Sequence, residues 1–138
     1  MKPFQSQIRL NKFNVDEAQR HLGELQRLGD QLRAQRSALE EEAKREQALA
    51  ASSLEASIAY PGYARQLIER RARLDRSIED VEAQILQARE GLANAFAELK
   101  KFELAAEAAE ERNRKKREQR DQIAMDEVAI QIFRKKQG

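Results

Sequence analysis

Few residues in this chain are of a type that does covalent or metal chemistry. There is one histidine, His21, and no cysteine, so no soft-metal set and no thiolate nucleophile can be assembled. The run Glu40-Glu41-Glu42 supplies carboxylates. General acid–base work, however, needs an enclosed pocket that tunes their pKa values. Neither a Gly-rich phosphate loop nor a nucleophile elbow is present. These absences argue against an enzyme, and call for no metal, no cofactor and no small-molecule substrate. What remains is binding chemistry. Six of the nine residues from 112 to 120 are basic. Beyond them Ile123, Met125, Val128, Ile130, Ile132 and Phe133 alternate with Asp126 and Glu127 before Arg134-Lys135-Lys136. Such a stretch can meet charged and apolar surfaces of a partner.

The element that must carry it is a helix. From 67 to 109, Leu67, Leu74, Val81, Ala88, Ala95, Phe102 and Ala109 recur every seven residues. Ile78, Ile85, Leu92, Leu99 and Ala106 interleave with them at spacings of three and four. That is a heptad seam, which a strand of period two cannot use. Upstream, Ile8, Val15, Ala18, Leu22, Leu25, Leu32, Leu39 and Ala43 repeat the pattern, with Gly29 and Arg36 at seam positions. Charged residues make up 36% and aromatics 5%, a coiled-coil rather than a globular composition. The net charge of +2 makes most of that charge mixed-sign helix surface rather than a uniform nucleic-acid-binding field.

Tyr60-Pro61-Gly62-Tyr63 is the strongest breaker in the interior and predicts the hairpin tip. The expected fold is all-α: one hairpin over 1–138, with helix one about 4–58, tip 59–63 and helix two about 64–135. The two helices, roughly 50 and 70 residues, would span about 80 and 105 Å and pack antiparallel as a monomeric coiled coil. A fold point at Gly62 pairs Leu22 with Phe102, Leu25 with Leu99, Leu32 with Leu92, Leu39 with Ile85 and Ala43 with Val81. Gly29 then falls opposite Ala95, and Arg36 opposite Ala88. In this register the second helix outruns the first by about two turns or more. No signal-peptide pattern and no apolar run of membrane-spanning length occurs, which predicts a cytoplasmic protein.

Three segments stand out in order along the chain: Phe4 with Arg9-Leu10, Phe13 and Asp16-Glu17-Ala18; Tyr63 with Leu74-Asp75-Arg76-Ser77-Ile78; and Arg117-Glu118-Gln119 followed by Met125-Asp126-Glu127-Val128-Ala129. Together they resemble the FliJ family, the chaperone-like coiled-coil component of the bacterial flagellar export ATPase complex. The resemblance implies a hairpin similar to the central stalk of rotary ATPases, working in flagellum biogenesis and motility through type III protein export. It implies three partners: the hexameric export ATPase, the membrane export-gate protein and export chaperones. The location implied is peripheral, at the inner-membrane base of the flagellum. Carried onto this chain, Arg114, Arg117, Glu118, Gln119, Arg120, Ile123, Asp126, Glu127, Ile130 and Phe133 would face the ATPase ring. Leu67, Arg70, Leu74, Ile78 and Val81 would face the gate, although 66–81 lacks the aromatic residue common in relatives. The alternatives are the equivalent stalk of a virulence-type secretion system and a basic coiled-coil nucleic-acid-binding protein. The second is disfavoured because no zipper follows the basic run.

Overall fold

The computed structural model describes residues 2–137. It contains two helices, α1 at Gln5–Ser52 and α2 at Leu54–Gln137, with no strand among the described residues. They pack against each other as an antiparallel coiled-coil hairpin in which α2 is the longer helix. The heptad pattern therefore folds as its period dictates.

The tip does not form at Tyr60–Tyr63. The single break is Ser53, and Pro61 lies inside α2. Ser53 acts as an N-cap: its Oγ accepts from the Ala56 amide at 3.4 Å, and its carbonyl accepts from Ser57 at 3.0 Å. Glu55 follows in the first turn, where a carboxylate suits the helix dipole. Pro61 removes one amide donor and so leaves the Ser57 carbonyl without its helical partner. Ser57 and Pro61 are both exposed, so water can take that place. Gly62 has no positive φ and is an ordinary helical residue.

The moved tip shifts the register by two heptads from the one predicted. In the unit Asp16–Asn94, Leu25 packs with Val81 and Ile85 rather than Leu99. Leu22, Leu32 and Ala88 flank that cluster. Leu39 and Ala43 close on Leu67, with Tyr63 and Leu74 beside them, instead of meeting Ile85 and Val81. Val81 is 2% exposed and is the most fully buried of the large side chains. Arg36, at a seam position, does not face an alanine. Its guanidinium leaves the seam sideways, donating from Nε to Asp75 Oδ1 at 2.8 Å and bonding Glu40 on its own helix.

Glu40 is the hub of this flank. Arg71 donates to it from Nε at 2.5 Å and from Nη2 at 2.7 Å, a two-pronged pair across the helices. The Arg71 bonds, then those of Arg36, pull the Glu40 carboxyl from 4.5 down to about 2. Glu42 is lowered as well, by the Tyr63 hydroxyl at 2.9 Å and by Arg70 at 2.8 Å.

The other unit comprises, among the described residues, 2–15 and 95–137. Phe4 stands just before α1 with φ at 59°, a left-handed backbone that an aromatic residue rarely adopts. Its carbonyl accepts the Ile8 amide at 2.9 Å, and its ring lies 6.0 Å from that of Phe102, tilted by 46°. That aromatic contact is worth about 0.5–1.5 kcal/mol beyond burial, of the order needed to hold the backbone there. Phe102 is thus covered by Phe4 rather than by Leu22. Val15 is buried in this unit, as is Asn11, whose Nδ2 donates to the Gln7 carbonyl at 2.7 Å.

Two outcomes test this fold. A Cβ at Gly62 would meet nothing within 4 Å. Gly62→Ala should therefore stabilise α2 by about 0.5–1 kcal/mol and raise the melting temperature by a few degrees. A glycine in a tight turn with positive φ would give a fall instead. Glu40 and Glu42 titrate lower in the folded chain than their ordinary value, so their contribution is full above about pH 4.5. It is lost as pH falls from there towards 2. Glu40→Gln should lower the urea midpoint at pH 6 and shrink the further drop between pH 5 and pH 3.

Candidate interaction surface

The half-buried seam of α2 ends at Ala109, and every described residue from 110 to 137 is exposed. These 28 residues remain helical to Gln137 and extend for about 42 Å, roughly eight turns. The uncovered part is therefore about eight turns, where the predicted register gave about two turns or more. The cause is the register: α1 begins at Gln5 with Phe4 already set against Phe102.

The sequence-predicted ring-facing residues all lie on this extension. Ile123 is 58% exposed, Ile130 51% and Phe133 61%. Met125, Val128 and Ile132 are open to a similar degree. At about 100° per residue, Ile123, Ile130 and Phe133 fall on one side of the helix, and Met125, Val128 and Ile132 on nearly the opposite side. A helix with apolar residues on both sides suits enclosure by a partner better than contact with one flat face.

The basic run is less uniformly cationic than its composition suggests. Arg114 donates to Glu111 from Nε at 3.1 Å and Nη2 at 2.5 Å, and to Glu118 at 2.6 Å from Nη1. Glu111 is correspondingly held below the usual carboxylate range by Arg114. Further along, Gln122 donates to Asp126 at 3.1 Å. Arg117 and Arg120 line an open trough with Asn113, Lys116 and the first residues Lys2 and Pro3. Arg114, Glu118 and Asp126 are thus partly engaged within the helix, and the trough presents the mixed-sign stretch of α2 between Glu107 and Arg120.

The five residues assigned to a gate contact are placed differently. Leu67 and Val81 are buried, 5% and 2% exposed, in the two core clusters. Leu74 and Ile78 are half-buried in the seam. Arg70 bonds Glu42 across the helices, and with Leu74 it lines an open groove between α1 and α2. The same groove is lined by Arg45 and Arg73, which sequence reasoning had not singled out. Both lie off the seam, and only the register brings them to one groove. No described helix is long and apolar enough to cross a membrane.

Compared with known proteins, the chain matches the family described as "Flagellar FliJ protein" over residues 1–138, its whole length. No curated protein and no solved structure matches it. With a match across all 138 residues and the two-helix hairpin in place, the chain belongs to the flagellar FliJ family.

Proposed function

We propose that this protein is a non-enzymatic component of the flagellar type III export apparatus that docks on the hexameric export ATPase through the uncovered extension of α2. The observation that carries this reading is the extension itself, a continuous helix over 110–137 with apolar side chains on opposite sides. Membership of the flagellar FliJ family supports the setting. A ring offers contact on every side of a helix inserted along its axis, and Ile123, Ile130, Phe133 and Met125 would then be covered together.

The charged residues have a separate role in this reading. Arg117 and Arg120 steer the extension towards acidic rims, while Glu118, Gln119, Asp126 and Glu127 set its rotation. Long-range steering of this kind raises association rate and falls with added salt. The protein acts as a monomeric hairpin at the inner-membrane base of the flagellum. Its other contacts are with the export gate, on the side of the hairpin carrying Arg70 and Leu74, and with export chaperones. Hydrolysis of ATP remains the work of the ring.

A chain ending at Ala109 should lose binding to the purified ATPase and any effect on its turnover, while α1 and the Asp16–Asn94 unit stay folded by circular dichroism. Unchanged ring binding by the shortened chain would remove the mechanism. In the full-length chain, Arg117→Glu with Arg120→Glu should slow association by about tenfold at low salt, and the difference should fade as salt is raised.

A further inference from the structure

The two flanks of the Asp16–Asn94 unit are not equivalent. On one flank the helices are bridged by charges that neutralise each other: Glu40 with Arg71, Arg36 with Asp75, and Arg33 with Glu82 at 3.8 Å. Little unbalanced charge is left there for a partner.

The other flank carries an open groove. Its floor is apolar: the half-buried Leu32 and Leu74 lie over the buried Leu39. Ala38 and Ser77 on its walls are small and let another backbone approach. Arg45, Arg70 and Arg73 rise around it, against a single lining carboxylate, Glu42. Glu42 is already taken by the Tyr63 hydroxyl and by Arg70. Among the described residues, neither Arg45 nor Arg73 forms an ion pair. A guanidinium has five N–H donors, so even Arg70 keeps several for another acceptor.

From this asymmetry we infer that the groove between α1 and α2 lined by Arg45, Arg70 and Arg73 is a docking site for an acidic amphipathic helix of a protein partner. Its apolar stripe lies on the half-buried Leu32 and Leu74 and its carboxylates meet the three arginines. The bridged flank cannot take such a helix without breaking its own ion pairs. A basic helix would face like charge, which costs rather than stabilises. An uncharged apolar helix would leave the guanidinium groups without acceptors. The site lies wholly within the Asp16–Asn94 unit and uses no residue of the 110–137 extension. It extends the gate-side reading of Arg70 and Leu74 by naming the partner's chemistry and adding Arg45 from α1. Failure of ring docking would leave it standing.

The test uses the full-length chain and three fluorescent synthetic peptides. One is a helix with leucine at heptad a and d positions and glutamate on the remaining faces. The second replaces each glutamate by lysine, and the third scrambles the first so that no apolar stripe forms. The acidic amphipathic peptide should bind most tightly. Arg45→Glu combined with Arg73→Glu should weaken it by about tenfold or more. The charge-matched pair Arg76→Glu with Arg89→Glu, both exposed away from this groove, should change it less than about twofold. Circular dichroism of both double variants checks that the hairpin is intact. Equal losses in the two double variants would show general charge attraction and overturn the site. No loss in the groove variant, or equal binding of the scrambled peptide, would overturn it as well.

Discussion

A seam of apolar residues that repeats every seven positions can close on itself in more than one register, because sliding one helix by a heptad brings leucine back opposite leucine. Hydrophobic burial gives the stability of such a hairpin but discriminates poorly between registers. The choice made here rests on features that do not repeat. Ser53 ends α1 and caps α2, which fixes where the chain reverses. The ion pairs of Glu40 with Arg71 and of Arg36 with Asp75 then match only when the helices are set by that reversal. Exposed pairs of this kind contribute little to stability individually. Their weight lies in selection: sliding either helix by a heptad would set Glu40 opposite Ala64 or Ile78 instead of Arg71.

From this register the rest of the molecule follows. It puts Phe4 against Phe102 and sends α2 on for 28 exposed residues, where a longer α1 would have covered them. It also divides the flanks of the Asp16–Asn94 unit, closing one with ion pairs and leaving arginines around an apolar groove on the other. Two surfaces of different chemistry result: a helix with apolar residues on both sides over 110–137, and a cationic groove between the paired helices of the Asp16–Asn94 unit.

The fold class could be read from the period of Leu67, Leu74, Val81 and their partners alone, because no other element uses a repeat of seven. The position of the tip could not. Pro61-Gly62 is the louder signal, but a proline whose freed carbonyl faces water is tolerated within a helix, and Gly62 brings only a modest propensity cost. The quieter signal was Ser53 with Glu55 behind it, an N-cap set in a stretch of small residues. Misplacing the tip carried through to everything that depends on register. The pairing of Leu25 with Leu99 was expected for that reason, and so was a short overhang. The exposure of the residues proposed to face a ring was legible because they lie beyond the seam in either register. Arg45 and Arg73 were not, since neither lies in the seam and they line one groove only once the helices are aligned.

Cysteine is absent from the natural chain, which makes the register directly measurable by introducing thiol pairs with no background. Leu39→Cys with Leu67→Cys places two thiols within one core cluster, whereas Leu39→Cys with Ile85→Cys corresponds to a tip at Gly62. With a short bifunctional thiol reagent on the dilute protein, the first pair should crosslink within the chain rapidly and the second should not. Efficient crosslinking of the second pair and failure of the first would contradict the register, and with it both the length of the uncovered helix and the groove.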